Sequence, residues 1–237
     1  MDRKLLGLPP ADDIELQGQL NPDCPVCMQP MPANNRRGSF RSCCGQSLCR
    51  ACDDRAIDAA GDLAMRCPFC REPGARTGSD TVARLNKLVA RNPQNERALS
   101  QLGDCYLKGD GVARDVNEAR RLYEKASALG DAGAATSLGE IYAEGNGVAA
   151  DLDESRRYFE LAIARGSIVA IHNFGVSLVM AGYHAEAKTL FIRAAARGYD
   201  DSTRSLKIMH IQNQGVSEAE VAAARRACAR ADSSLQL

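Results

Sequence analysis

Apolar residues near the middle of the chain recur every three or four positions. Between residues 81 and 91 they stand at Val82, Leu85, Leu88 and Val89. This spacing places them on one face of a helix, and it predicts a helix from Thr81 to Arg91. Pro93 follows at once and cannot continue the helix.

From about residue 95 the same kind of pattern repeats itself with an offset of 36. Leu-Gly-Asp-Cys-Tyr at 102–106 recurs as Leu-Gly-Glu-Ile-Tyr at 138–142, and Gly-x-Gly-Val at 109–112 recurs at 145–148. A third copy keeps Phe-Gly at 174–175 but loses four residues from its inner loop. Periods of this length predict a solenoid of helix pairs, in which each pair covers the apolar face of its neighbour.

Polar residues and glycines stand where such helix pairs need them. Asp115 and Asp151 come where the second helix of a pair should begin, and each is followed three residues later by a glutamate, which predicts a capping box. Glycines follow the end of each second helix, where a left-handed residue is needed, at Gly130, Gly166 and Gly198.

Other glycines fall inside the first helix of each pair, at Gly103, Gly139 and Gly175. A glycine there costs about 1 kcal/mol of helix stability, so it predicts the close approach of a neighbouring helix. Small residues in the second helix match this expectation, at Ala126, Ala162 and Ala194. The third copy has only Ala181-Gly182 between its helices, which predicts a tighter turn.

These repeated positions resemble Sel-1-like repeats, which are relatives of the tetratricopeptide family. The resemblance implies an α/α superhelix that binds proteins and performs no chemistry of its own. It divides a repeat domain at 81–231 into copies at about 95–131, 132–167 and 168–200, with a degenerate copy at 201–231.

Composition excludes several function classes. The chain has 30 acidic and 30 basic residues and no tryptophan, so neither a basic nucleic-acid footprint nor a base-stacking platform is expected. No run of 18 apolar residues is present, so we expect no membrane span. Residues 1–20 are interpreted as a flexible leader without the features of a signal peptide, which favours an intracellular location, cytoplasmic or nuclear.

Cysteine is concentrated before the repeats. Eight of the ten cysteines lie between Cys24 and Cys70, and three of their four groups are CxxC, the spacing with which two thiolates bind one tetrahedral metal. Eight thiolates complete two four-ligand sites with no open position. They predict two structural zinc ions, because an intracellular protein keeps its thiols reduced and does not use them in disulfides.

The pattern resembles an all-cysteine variant of the RING finger, here at 21–73, with a linker at 74–80. In the cross-brace of that family the first and third cysteine pairs hold one zinc, and the second and fourth pairs hold the other. The resemblance implies a first site of Cys24, Cys27, Cys49 and Cys52. It implies a second site of Cys43, Cys44, Cys67 and Cys70. The predicted fold is therefore mainly α, a small zinc cross-brace module followed by an α/α superhelical solenoid.

The second pair departs from the usual RING pattern. Most members carry a histidine there, whereas this chain has no histidine before His172 and would place Gln46 at that position in the common alignment. The all-cysteine alignment makes Cys44 the fourth ligand and leaves Cys43 as the third. Two adjacent cysteines on one metal require a bent backbone, and whether Cys43 is a ligand stays open.

The RING resemblance implies a ubiquitin ligase, which positions a ubiquitin-charged conjugating enzyme and needs no covalent nucleophile. Contacts with the conjugating enzyme and ubiquitin would come from Val26, Ile57, Pro68 and Arg71. Ala56 stands where the family carries a larger residue, with Ile57 as its substitute. The repeats would recruit a protein substrate or partner. Each contact residue could instead be purely structural, and the alternative function is a non-catalytic zinc-binding adaptor.

Overall fold

A computed structural model describes residues 38–45, 47–49, 67, 74–75 and 77–234. In this part of the chain, two short antiparallel strands, β1 (Gly38–Phe40) and β2 (Ser47–Cys49), precede nine helices. The helices are α1 (Gly78–Arg91), α2 (Glu96–Lys108), α3 (Val116–Ala128), α4 (Ala132–Glu144), α5 (Leu152–Ala164), α6 (Ile168–Met180), α7 (His184–Ala195), α8 (Asp200–Ile211) and α9 (Glu218–Ser234). None of these helices has the length and apolarity to cross a membrane.

The fold is a solenoid of four helix pairs, α2/α3, α4/α5, α6/α7 and α8/α9, which confirms the predicted helical repeats. We call the first helix of each pair helix A and the second helix B. Each pair packs internally and against its neighbours, so that two buried apolar clusters together run along all four pairs. The degenerate fourth copy keeps both of its helices. The expected leader lies outside the described residues.

The helix before the repeats begins at Gly78, three residues earlier than its apolar pattern predicts. Thr77 explains the difference, because its hydroxyl accepts a hydrogen bond from the amide of Asp80 and caps the helix at this point. Val82 and Leu85 are buried against the first repeat. The beginning of α1 also packs so tightly on the turn between α2 and α3 that a Cβ on Gly111 would lie 2.0 Å from the carbonyl carbon of Gly78.

The glycines inside the A helices make room for aromatic rings. A Cβ on Gly139 would lie 2.9 Å from the ring of Phe159, and the rings of Tyr123 and Phe191 stand in the same relation to Gly103 and Gly175. All three rings are buried. The close approach of helix B expected at these glycines is therefore present. An aromatic ring of helix B occupies the space beside each glycine, whereas the expectation was based on the small alanines of that helix.

The capping boxes are only half formed. Asp115 and Asp151 cap α3 and α5 through hydrogen bonds that their carboxylates accept from helix amides. The glutamate side chains do not accept hydrogen bonds from the amides of the cap residues. Glu118 pairs with Arg121 instead, and the amide of Asp115 donates to the carbonyl of Tyr106 at 2.9 Å. A tertiary partner for the amide and a charged partner for the glutamate replace the reciprocal bond.

Turn geometry follows the glycines. Gly130, Gly166 and Gly198 have φ of 111°, 86° and 82°, the left-handed conformation expected after each helix B. The link between α6 and α7 contains only residues 181–183, whereas the first two pairs use seven residues, 109–115 and 145–151. The tighter turn predicted for the third copy is confirmed.

Candidate functional site

Three cysteines that are distant in sequence meet at the tip of the β1–β2 hairpin. The Sγ atoms of Cys43, Cys44 and Cys67 all lie within 4.8 Å of one another, and those of Cys44 and Cys67 are 3.7 Å apart. Cys67 is buried, and the other two are half-buried. The cluster joins the second cysteine pair to a member of the fourth, which are the pairs that a cross-brace brings together.

The hairpin supplies the bend that adjacent ligands require. Residues 42–44 form a turn, and the carbonyl of Arg41 accepts hydrogen bonds from the amides of Cys44 and Gly45 at 3.2 Å and 2.8 Å. Gly45 has φ of 76°, a conformation that glycine adopts without strain. The turn therefore directs two neighbouring thiols toward one point.

The spacing of the thiols suits a tetrahedral metal. With zinc–sulfur bonds of about 2.3 Å, two thiolates on the same zinc ion stand roughly 3.8 Å apart. The 3.7 Å separation of Cys44 and Cys67 matches this value and is far longer than a disulfide bond of about 2.05 Å. Three thiols so arranged could hold a zinc ion if a fourth ligand completed the tetrahedron.

Of the remaining predicted site residues, only Cys49 is described, and only through its backbone. Cys70, the fourth predicted ligand of this cluster, lies outside the described residues, as do Cys24, Cys27 and Cys52 of the other predicted site. Cys49 contributes its backbone to β2, opposite Gly38. The four predicted contact residues, Val26, Ile57, Pro68 and Arg71, also fall outside the described residues.

The cysteine hairpin is docked on the helical repeats. Phe40, at the end of β1, packs against the apolar cluster that α1 forms with the first two helix pairs. A Cβ on Gly45 would lie 3.0 Å from Nδ2 of Asn95 and 3.2 Å from Cδ2 of Leu88, so the hairpin backbone rests on these side chains. Sequence reasoning missed Phe40, although an isolated large apolar residue in a polar loop was an available signal.

The A helices also expose a continuous face. They begin after the N-caps Asn95, Asp131, Ser167 and Tyr199. We define the helix A face as the residues at the sixth, ninth and thirteenth positions after these caps. The sixth-position row is uncharged and polar throughout: Gln101, Ser137, Asn173 and Ser205. The ninth-position row changes from acidic to aliphatic: Asp104, Glu140, Val176 and Ile208. The thirteenth-position row is Lys108, Glu144, Met180 and Gln212.

Contacts between neighbouring A helices hold this face together. The amide of Asn173 in α6 donates a hydrogen bond to the carboxylate of Glu140 in α4. His172 Nδ1 in α6 lies 2.9 Å from the hydroxyl oxygen of Ser202 in α8, and the His172 ring packs against Tyr199. The A helices of the second, third and fourth pairs are therefore neighbours, and the hydrogen bond between Asn173 and Glu140 joins the sixth-position row to the ninth.

The two carboxylates of the ninth-position row are perturbed. Burial raises the pKa of Glu140, and the negative charges of Glu144 and Asp104 add to the effect, while the hydrogen bond from Asn173 opposes it. Burial likewise raises the pKa of Asp104, whose carboxylate accepts a 2.7 Å hydrogen bond from the hydroxyl of Tyr123. The positive charge of Lys108 opposes the rise in both pKa values. Both carboxylates therefore sit partly desolvated beside neutral hydrogen-bond donors, with one cation near enough to act on them.

The repeats match a known family. Residues 97–131 and 132–167 each fit the Sel1 repeat model. These two segments are Sel1 repeats. They coincide with the first two predicted copies and confirm the predicted repeat class. No protein of curated function matches the chain.

Solved structures share the Sel1 solenoid. The Sel1 repeat protein from Oxalobacter formigenes is 20% identical with a TM-score of 0.54, over 66% of this chain and 64% of its own. A protective antigen of uropathogenic Escherichia coli strains, displaying an SLR fold, is 21% identical with a TM-score of 0.54, over 76% of this chain and 39% of its own. The chain thus spans less than two thirds of either structure, and the likeness concerns the fold alone.

Proposed function

We propose that this protein is a zinc-dependent RING-type ubiquitin ligase whose Sel1 repeats recruit a protein substrate or partner. The convergence of Cys43 and Cys44 with Cys67 carries the proposal. These thiols come from the second and fourth cysteine pairs, the combination that holds one zinc ion in the cross-brace. An intracellular location, cytoplasmic or nuclear, belongs to the same proposal, because it keeps the thiols reduced.

Two zinc ions would be held by thiolates alone. Cys43, Cys44, Cys67 and Cys70 would form one site, and Cys24, Cys27, Cys49 and Cys52 the other. Four-thiolate zinc has no open position, so it shapes the surrounding loops and contributes folding energy without acting on a substrate. The module would then be unfolded, and inactive, without metal.

Catalysis would consist of positioning. A ubiquitin-charged conjugating enzyme would dock on Val26, Ile57 and Pro68, and Arg71 would contact both the enzyme and ubiquitin. Holding the thioester near an acceptor lysine in a reactive geometry supplies the rate enhancement, since an oriented pair reacts faster than two free molecules. The partner bound by the repeats would provide the acceptor lysine.

Autoubiquitination of the full chain with a panel of conjugating enzymes tests this proposal. We expect chain formation with at least one enzyme, and we expect Val26→Ala and Arg71→Ala to lower its rate by tenfold or more, the loss of about 1.4 kcal/mol of transition-state stabilisation. Arg91→Ala, an exposed arginine at the end of α1, is the matched control and should react at the wild-type rate. Absence of activity with every enzyme, in protein that carries two zinc equivalents, would refute the ligase.

The sequence also favours a second candidate, a non-catalytic zinc-binding adaptor. Ala56 is smaller than the residue usual in a RING groove, so the docking surface for a conjugating enzyme would be shallow. An adaptor would bind zinc and a partner but would not discharge ubiquitin from any enzyme. Discharge that depends on Arg71 would exclude it.

A further inference from the structure

The helix A face changes character halfway along the solenoid. On α2 and α4 its ninth-position row ends in carboxylates, Asp104 and Glu140. On α6 and α8 the same row is aliphatic and exposed to solvent, with Val176 38% exposed and Ile208 53% exposed. Met180, in the thirteenth-position row of α6, is 74% exposed, and Ile211, beside that row on α8, is 67% exposed. Groups of exposed apolar side chains on a protein surface commonly mark a binding site.

The charged half of the face is set up to receive a cation. In the part of the chain that the structure describes, the Asp104 and Glu140 carboxylates accept hydrogen bonds from a phenol and an amide, and no salt bridge reaches either of them. The positive charge of Lys108, in the thirteenth-position row, offsets part of the effect of burial on the pKa of both carboxylates, but Lys108 forms no salt bridge with either. An ammonium or guanidinium group that arrived beside these partly buried carboxylates would therefore gain a charge-assisted hydrogen bond that Lys108 does not make.

The uncharged row beside it suits a peptide backbone. Gln101, Ser137, Asn173 and Ser205 are all half-buried, one on each A helix. Amide and hydroxyl side chains can donate to carbonyl oxygens and accept from N–H groups, so they can satisfy an extended main chain that crosses the four helices. A peptide can bond to this row and also cover the aliphatic half of the face, whereas a small cation would leave the aliphatic half uncovered.

Helix spacing sets the sequence of the ligand. Packed helices lie about 8–10 Å apart, and an extended chain advances about 3.3 Å per residue. Val176 lies on the next A helix after that of Glu140, one interhelical spacing away. Ile208 lies two such spacings away. A basic residue at Glu140 therefore stands about three residues from an aliphatic residue on α6, and about six from one on α8.

We propose that the helix A face binds an extended peptide segment of a partner protein, in which a lysine or arginine lies three to six residues from an aliphatic side chain. The basic group pairs with Glu140 and Asp104, the aliphatic group covers Val176 and Ile208, and the uncharged row holds the backbone. This inference rests on the proposed role of the repeats in recruiting proteins, and it specifies what they recruit.

A random decapeptide display library, panned on the immobilised full-length protein, tests the inference. We expect enriched peptides to share a basic residue and a Leu, Ile, Val or Met at that spacing. Fluorescein-labelled copies, measured by anisotropy, should bind Glu140→Gln about tenfold more weakly than wild type, because a charge-assisted hydrogen bond is lost. Replacing the lysine of the peptide by norleucine should remove the difference between the two proteins.

Matched variants away from the face control for general effects. Glu160→Gln and Leu161→Ser alter a glutamate and an exposed leucine of α5, and both should bind the peptides as wild type does. Ile208→Ser should weaken binding whether or not the peptide carries its lysine. All four variants should keep the wild-type rate of autoubiquitination, so a failure of peptide binding is separable from a failure of the ligase.

Three results would overturn the inference. The first is enrichment of peptides without the basic–aliphatic pair. The second is equal affinity for the Glu140→Gln and Glu160→Gln proteins. The third is a dimer in sedimentation that Ile208→Ser dissociates while peptides do not bind, which would assign the face to a second copy of the chain.

Discussion

Glu140 illustrates how the repeat places an acidic residue where its charge is unfavourable. Its carboxylate is half-buried between α4 and α6, and burial raises its pKa. The folded protein therefore binds this proton more tightly than the unfolded chain, whose glutamate titrates near pH 4.3. Its effect on stability is absent below that pH, and the ionised group lowers stability increasingly as the pH rises through the folded-state pKa.

Glu140→Gln should stabilise the protein at neutral pH. The glutamine oxygen still accepts the hydrogen bond from Asn173, while the buried charge is removed. In urea denaturation we expect a higher midpoint than wild type at pH 7, and an advantage that disappears below about pH 4. Glu160→Gln should stay within about 0.5 kcal/mol of wild type at both pH values. A destabilised Glu140→Gln protein at pH 7 would mean that the carboxylate contributes a contact worth more than its desolvation cost.

The same substitution should raise stability and weaken the binding of a basic peptide, because a group that is unfavourable in the free protein becomes favourable once it is paired. Residues of this kind are typical of binding sites, where stability is given up for function.

At the scale of elements, side-chain caps decide where helices begin. The Asp151 carboxylate accepts hydrogen bonds from the amides of Asp153 and Glu154, both at 3.0 Å. The fourth pair uses a complete capping box instead, in which Ser217 and Glu220 bond reciprocally. These hydrogen bonds, chiefly the one from the Ser217 amide, lower the pKa of Glu220 to about 2. The helix α7 has no side-chain cap, which accords with the shortened turn before it.

Replacing the cap of α5 should weaken the second repeat. Asp151→Ala removes the acceptor for two amides and should lower the free energy of unfolding by about 1 kcal/mol. Asp151→Asn keeps an oxygen acceptor and serves as the control, with most of that stability retained. Chemical denaturation followed by circular dichroism measures both. An alanine variant as stable as wild type would show that water satisfies these amides equally well.

At the scale of the molecule, the cysteine hairpin and the repeats share an interface. The sequence predicts a zinc module at 21–73 that is separate from the repeats, so removing metal would be expected to unfold the module and leave the helices unchanged. The contacts of Phe40 and Gly45 with the first repeat modify this expectation. The hairpin can cover Leu88 and its neighbours only while its own turn is held in place.

We therefore expect chelation to loosen α1 and α2 but not the far end of the solenoid. When zinc is removed from the zinc-loaded full-length protein, hydrogen exchange should accelerate about tenfold in α1 and α2 and should not change in α6 to α9. The tenfold change corresponds to the loss of about 1.4 kcal/mol of packing by Phe40. Phe40→Ala should show the faster exchange with zinc still bound, and Phe40→Leu should resemble wild type. Identical exchange in α1 and α2 with and without metal would show that the hairpin does not support the repeats.

Much of the repeat architecture could be predicted because its causes are local. Apolar spacing, the caps at Asp115 and Asp151, and glycines after helix B act within a few residues, and they place helices and turns nearly as observed. The reciprocal bond of Glu118 could not be predicted in the same way. Its outcome depends on competition from Arg121 and from the carbonyl of Tyr106, and the latter comes from another helix.

By itself, the sequence determined the helix pairs, their period and the residues that end them, because helix hydrogen bonds join residues four apart and each copy repeats the same local pattern. Only the tertiary structure decided which thiols meet, where Phe40 docks, and that the half-buried Asp104 and Glu140 share the helix A face with the exposed Val176 and Ile208. Those outcomes depend on contacts between residues 20 or more positions apart, as for Cys44 and Cys67. Chain packing selects such contacts, and local spacing does not encode them.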